Sequence, residues 1–259
     1  MADIAAFCLC CVIGLLFVLP ILAFLFTMLL EDYPLHMELT LRHIRDCLNA
    51  RGVLGLKNSL LLSAGTALGG TVIAAFAAYA AARHRGSLAR SVHLLSTLTL
   101  SIPGLVLGLA YVLAFKRTAL YETMGILIFS SIIHFFTTPY LMLYQTFGKL
   151  NANLEGTGRV LGVPPFRLFA NVFLPQCAET LLDMFSYFFL NAMVTISAVS
   201  FLATAQTRPL SMLVTQYSDQ INPEGAAVLS FFILTINLLV RGIVFLLKRL
   251  LCTPARAAQ

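Results

Sequence analysis

Apolar residues run along this chain in blocks long enough to cross a bilayer, and the short stretches between them carry nearly all of the charge. The first block, Ile4 to Leu30, exceeds the roughly 20 residues that a helix needs to span a hydrocarbon core. It opens without a basic stretch and has no small-residue cleavage site, so it reads as a retained span and not as a signal peptide. Residues 31–57 hold four acids and four bases, with apolar residues alternating at Leu35, Met37, Leu39 and Leu41, and form a surface segment. Asn58-Ser59 then leads into a second span, Leu60 to Ala82, rich in alanine and in glycine at Gly65, Gly69 and Gly70. Small residues let helices approach closely in lipid, which predicts a helix inside a bundle.

Arg83, Arg85 and Arg90 mark a short basic loop before the third span, His93 to Phe115. Ser101-Ile102-Pro103-Gly104 interrupts that span. Proline and glycine at membrane depth free backbone groups that neighbours or a water-lined cavity must satisfy, so Pro103 and Gly104 are candidates for a gate or pathway position, or for a packing kink. The fourth span, Thr123 to Phe147, contains His134; a histidine at that depth is a functional candidate, or one satisfied by a neighbouring carbonyl or hydroxyl. The fifth, Ala178 to Thr204, opens with Glu179 and Asp183 on one helical face, placed to pair with a base or to face the preceding loop. Further in, Asn191, Thr195 and Ser197 are placed to line a hydrated path, since buried amides and hydroxyls need partners, while Phe188 and Phe189 face packing neighbours or lipid. Residues 206–224 form a polar loop, and Ala226 to Leu247 is the sixth span, followed by a basic tail with Lys248, Arg249 and Arg256.

Between the fourth and fifth spans lies the one long segment of mixed polarity, Asn151 to Pro175. It reads as two short helices. Asn151 and Asn153 are N-cap candidates for the first, which runs from Leu154 to Leu161. Gly162 ends it in the left-handed conformation, and Pro164 and Pro165 suit the opening turn of the second. Phe166, Phe169, Val172 and Phe173 give that helix an apolar face, and Pro175 closes the unit.

Composition agrees with a membrane protein: 259 residues, 59% hydrophobic and 11% charged, a mean hydropathy of +0.89 and a net charge of +6. That charge is dispersed and no basic run is long enough to track a phosphate backbone, which excludes nucleic acid as a partner. Six cysteines (Cys8, Cys10, Cys11, Cys47, Cys177 and Cys252) show no metal-ligand spacing, and no metal site is expected. Of the 17 lysines and arginines, nine fall on the side of the central loop and tail and seven on the opposite side, a weak bias that leaves orientation open.

The central loop resembles that of permease subunits of binding-protein-dependent ATP-binding-cassette importers, whose pattern is Glu-Ala-Ala, three residues, Gly, nine residues, Ile, one residue, Leu-Pro. Gly162, Val172, Leu174 and Pro175 match its second half at the family's spacing. In the first half the motif positions hold Gly156, Thr157 and Gly158, and the nearest acid, Glu155, lies one residue early, where it favours the helix start through the dipole. Asn58-Ser59 is similar to the start of the family's core, and SIPGLVLGLAY resembles its third-span proline-glycine stretch. NAMVTISAVSFLATAQTRPLSMLV is similar to a narrower subgroup, the permeases for 2-aminoethylphosphonate and ferric iron.

The resemblance implies an all-α integral membrane protein of the type I importer permease kind, with six transmembrane helices and a cytoplasmic coupling-helix loop between the fourth and fifth. It implies one transmembrane domain over 1–259: a first span and external segment (1–57), a permease core (58–248) and a tail (249–259). Both termini and the central loop would be cytoplasmic, in a bacterial inner membrane. The expected partners are a second permease subunit, identical or different, two cytoplasmic ATPase subunits, an external substrate-binding protein, and membrane lipid. No Walker A stretch occurs in the chain, so ATP and Mg are expected on the ATPase subunits and no cofactor on this one. Nor does it hold a Gly-x-Ser-x-Gly or His-Glu-x-x-His motif, and it is read as a transport subunit and not an enzyme. The expected solute is 2-aminoethylphosphonate or a related phosphonate; ferric iron or another small solute such as a polyamine or a sulfate-like anion is the alternative. A stand-alone secondary transporter is the rival from another class, disfavoured because the deep part of the bundle offers no acid and the sequence shows no internal repeat.

Overall fold

The computed structural model describes residues 2–32, 36–48, 50–84, 86–151 and 153–256. Leu35 and Arg85, and the side chains of Cys252 and Arg256, lie outside the described residues. The chain opens with α1 (Ala2–Thr27), apolar on every face and exposed along nearly all its length. It turns into a small antiparallel hairpin, β1 (Leu30–Asp32) with β2 (His36–Leu39), pairing Leu30 with Leu39 and Asp32 with His36. The all-α expectation therefore needs one correction, because the alternating residues after the first span do form a strand. A short α2 (Arg42–Cys47) follows, held to the hairpin through His43 Nε2 and the Glu31 carbonyl at 2.9 Å.

At the centre stands α3 (Ala50–Arg83), 34 residues without a break, which begins ten residues before the expected Leu60. Its small residues seat neighbouring side chains. A Cβ on Gly70 would lie 2.8 Å from Phe188 Cζ, and one on Gly65 2.6 Å from Ile128 Cδ1, so bulkier residues would push two helices away. Asn58 and Ser59, both buried, reach across to the distal loop: Asn58 Nδ2 donates to the carbonyls of Gln206 (2.8 Å) and Arg208 (3.1 Å), and Ser59 Oγ accepts from the Leu210 amide at 2.7 Å.

Two expected spans are broken. The third is α4 (Ser87–Leu98), a 3-10 turn (Thr99–Ser101) and α5 (Gly104–Phe115), with an angle of 112° between its halves. Proline explains the break locally: Ile102 before it is driven extended (φ −103°, ψ 119°), and Pro103 brings no amide to continue the ladder. The fourth is α6 (Met124–His134) and α7 (Thr137–Lys149), bent by 53°. Pro139 sits in the first turn of α7, where its missing amide leaves nothing unpaired inside the helix.

The central segment folds into α8 (Leu154–Val160), α9 (Pro165–Leu168), one π-helical turn (Phe169–Phe173) and α10 (Leu174–Gln176). The fifth expected span is helical only as α11 (Ala178–Val194); at Thr195 the chain becomes extended (ψ 138°) and residues 196–203 form tight turns. The loop expected to be merely polar contains α12 (Leu210–Asp219), and α13 (Pro223–Arg256) completes the chain. Among the described residues, three helices are long and apolar enough to cross a membrane, or up to five if each bent pair is one span.

Candidate coupling loop and translocation path

The first helix of the central loop ends as its sequence requires. Gly162 has φ +68°, its amide donates to the Arg159 carbonyl at 3.1 Å, and the Val163 amide donates to Gly158 O at 2.8 Å. This pair of bonds is a Schellman closure with glycine at the left-handed position. The opening turn differs from expectation. Asn153 stands at the N-cap position with near-helical backbone and no side-chain cap bond, and the Asn151 Oδ1 instead accepts from the Asn153 amide at 2.9 Å in a local turn.

Gly156 faces open space, whereas a Cβ on Gly158 would lie 3.2 Å from Leu168 Cδ2. Gly158 is thus the place where the two short helices meet, and the two glycines are not equivalent. Pro164 precedes α9 in an extended conformation and Pro165 opens it, as expected. The π-helical turn then displaces the apolar face: Phe169 and Phe173 are buried and Val172 half-buried, while Phe166 is 70% exposed and does not share their face. The widened turn also leaves room for the ring of Pro175, so the chain stays helical through the proline to Gln176 and Pro175 does not close the unit. Val160 (88% exposed), Leu161 (72%) and Phe166 are apolar residues of this loop that are left uncovered.

The loop is held by packing of Phe169 and Phe173 against Phe76 and Tyr79 of α3 and Phe147 of α7, and by one polar clasp. Arg83, the last residue of α3, is only 8% exposed and spends all five of its N–H donors. Nε and Nη2 grip the two carboxylate oxygens of Glu155, each at 2.5 Å. Nη1 donates to the carbonyls of Phe147 (3.3 Å) and Leu150 (3.2 Å), and Nη2 to that of Asn151 (2.8 Å). The guanidinium lies 5.0 Å above the Phe173 ring. Arg83 is therefore not a free loop base, and Glu155 does more than favour a helix start. Burial alone would push the Glu155 carboxyl up, but hydrogen bonds from Arg83 and its own backbone, with the Arg83 charge, hold it below the ordinary glutamate value.

The path candidates divide into two groups. Pro103 precedes α5 and sets Gly104 against α6 and the turn after α11, where a Cβ would lie 2.4 Å from Ser197 Oγ and 2.9 Å from His134 Cε1. Gly104, His134 and Ser197 thus come together from three elements. Of the three, His134 lines a cleft of about 180 Å³, together with Thr99, Thr137, Thr138 and Tyr187. Thr137 donates to the Ser96 carbonyl and bonds Thr99 Oγ1, each at 2.8 Å, while His134 Nδ1 is buried without a hydrogen-bond partner. Asn191 and Thr195 bond to other partners. The Asn191 amide returns to the Tyr187 carbonyl of its own helix (2.8 Å), and Thr195 is buried with its carbonyl accepting from Ser211 Oγ at 2.6 Å. At the other end of α11, Lys248 pairs with Asp183 (2.6 Å) and approaches Glu179 (3.9 Å), the pairing with a base that their spacing allows.

Residues 70–251 match the family of binding-protein-dependent transport system inner membrane components. The chain belongs to this family. Among curated relatives, it is 28% identical over 195 residues to the Fe(3+)-transport system permease protein FbpB 2 of Haemophilus influenzae, covering 74% of this chain and 38% of that one. It is 29% identical over 124 residues to a spermidine/putrescine transport system permease PotC homolog of Mycoplasma genitalium, covering 46% of this chain and 44% of that one. The chain spans less than half the length of these curated relatives. Its fold is that of a bacterial ABC transporter chain involved in import of the acidic polysaccharide alginate, with a TM-score of 0.77 and 15% identity over 95% of this chain and 94% of that one. A second alginate transporter structure, with a periplasmic protein bound to an alginate pentasaccharide, gives a TM-score of 0.76 at 14% identity, covering 95% and 93%.

Within this permease-family chain, two anchors were missed by sequence reading: the Arg83 clasp and the Asn58-Ser59 bonds to the 206–210 segment. The second had a signal, two adjacent polar residues at the head of a long apolar run. The first had none beyond a helix-terminal arginine, because its partners lie 64 to 72 residues away.

Proposed function

We propose that this chain is the membrane-spanning permease subunit of an ATP-driven importer and forms half or more of the route for a small solute delivered by an external binding protein. Six crossings are proposed, with the two bent pairs each one span and α11, continued by the turn after it, as the remaining one. Both termini and the central loop face the cytoplasm of a bacterial inner membrane. The observation that carries the reading is the loop itself: a folded, anchored unit that nonetheless leaves Val160, Leu161 and Phe166 uncovered, as a docking element for an ATPase subunit requires. ATP and Mg bind on two such subunits, and a second permease, identical or different, completes the path. Closure of the ATPase dimer moves the loop, and the helices joined to it rotate to alternate access at the Gly104, His134 and Ser197 cluster.

The lead solute is a phosphonate such as 2-aminoethylphosphonate. What favours an anion is charge: α3, α4, α5, α6 and α7 contain no acidic residue, and the residues that line the cleft include no carboxylate but do include His134, which is neutral or positive. Ferric iron or a polyamine is the second reading, supported by what the iron and spermidine/putrescine relatives are named for. Reconstitution with the cognate ATPase and binding protein tests both. Loaded binding protein should stimulate ATP hydrolysis with 2-aminoethylphosphonate and not with spermidine or ferric ion; the opposite pattern overturns the lead, and solute accumulation without ATPase would make the chain a secondary transporter.

A further inference from the structure

We propose that Arg83 positions the first half of the coupling loop, through α8. It adds to the packing of Phe76 and Tyr79 on Phe169 and Phe173 a polar clasp that makes this half move with α3 as well as with α7, to which it is joined by the chain. The proposal rests on the importer reading for its function but on geometry alone for its mechanics. The guanidinium meets three parts of this region at once: the carbonyls at the end of α7 and just after it, the acid of the first turn of α8, and the aromatic ring of the π-helical turn. The last carbonyls of a helix have no partner within it, and Arg83 supplies one from another element. Because all five donors are used in a fixed planar fork, a lysine at this position would keep the charge yet lose most of the bonds.

The other end of α3 is anchored too. Between Asn58 and Arg83 the helix rises about 38 Å, enough to cross the membrane. At that far end Asn58 and Ser59 hold the 206–210 segment, which continues the turn carrying Ser197 to the Gly104 cluster. One uninterrupted helix therefore links the loop at one face to the segment beside the path at the other. Glu155 is consumed inside the chain by this arrangement and is not free to reach an ATPase.

Hydrogen exchange on the purified chain and coupling in the reconstituted complex test the proposal together. Arg83→Lys should speed exchange of the amides in 153–163 while leaving α6 and α11 protected. Coupling should fail with it: the ATPase still binds through Val160, Leu161 and Phe166, but stimulation of hydrolysis by loaded binding protein is lost. The exchanged pair Arg83→Glu with Glu155→Arg should not restore either readout, because a carboxylate at 83 would face three carbonyl oxygens; full rescue would mean a simple ion pair and overturn the proposal. Unchanged exchange in Arg83→Lys would overturn the positioning role, and faster exchange with undiminished stimulation would overturn its part in coupling. If the wild-type complex shows no stimulated hydrolysis, the importer reading fails, and the exchange result still decides whether Arg83 positions the loop.

Discussion

Gly156 and Gly162 lie six residues apart, both in open space, and their substitution by alanine should have opposite effects. At Gly162 the backbone sits at φ +68°, where an L-residue with a Cβ costs roughly 1–2 kcal/mol. No atom lies within 4 Å of the added methyl, so no steric term adds to that figure. At Gly156 the backbone is helical, and replacing glycine by alanine should stabilise the helix by about 0.5–1 kcal/mol, with no neighbour to offset the gain. Amide hydrogen exchange of the 154–163 segment in a lipid nanodisc measures these local free energies directly. Gly162→Ala should raise local opening about five- to thirtyfold, and Gly156→Ala should lower it about two- to fivefold. Damage should remain at this face, since the spans are held by lipid and by one another, so both variants insert. Gly162→Val, with the same penalty and a branched Cβ, should also lose productive docking to the ATPase. If Gly162→Ala left exchange unchanged, or if both alanines moved it in the same direction, the left-handed closure would not be what shapes this loop.

Gly104→Ala places a methyl against Ser197 and His134 and should abolish transport while the assembled complex is still recovered; normal transport would remove this cluster from the path. Asn58→Leu removes both hydrogen bonds to the 206–208 carbonyls and should destabilise that segment by roughly 1–3 kcal/mol, read as faster exchange near Leu210 with the coupling loop still protected. Because the Glu155 carboxyl titrates below its ordinary value, its contribution is complete above that value and is lost as pH falls through the lowered one. An environment-sensitive dye on Leu161→Cys should therefore report a constant loop from neutral pH down to about 4.3 and a release only in stronger acid; release between pH 7 and 5 would contradict the clasp. For orientation, Leu41→Cys should react with an impermeant thiol reagent from outside the cell, whereas native Cys47 should be spared, its thiol buried and pushed up by burial and by Asp46.

Local rules account for what could be read from the chain without its structure. Apolar blocks announce helices in lipid because a bilayer offers the backbone no partners, and each helix satisfies its own. Pro103 breaks a span and Gly162 ends a helix through clashes and torsions confined to a few neighbouring residues, so both positions are legible at once. Small residues along α3 signal close packing for a similar reason: the absence of a side chain is written in the sequence, although the neighbour that fills the space, Phe188 or Ile128, is not. The end of α11 at Val194 was hidden, because 195–204 is apolar enough to prolong a span and only its packing shows it as turns. The same holds for the π-helical turn that parts Phe166 from Phe169 and Phe173. Tertiary structure alone brought Arg83 to Glu155 across 72 residues, Asn58 to Gln206 across 148, and Gly104 to His134 and Ser197. Hydrogen bonds and ion pairs of this kind depend on which surfaces meet once the helices have packed, and no periodicity or spacing along the chain encodes that meeting.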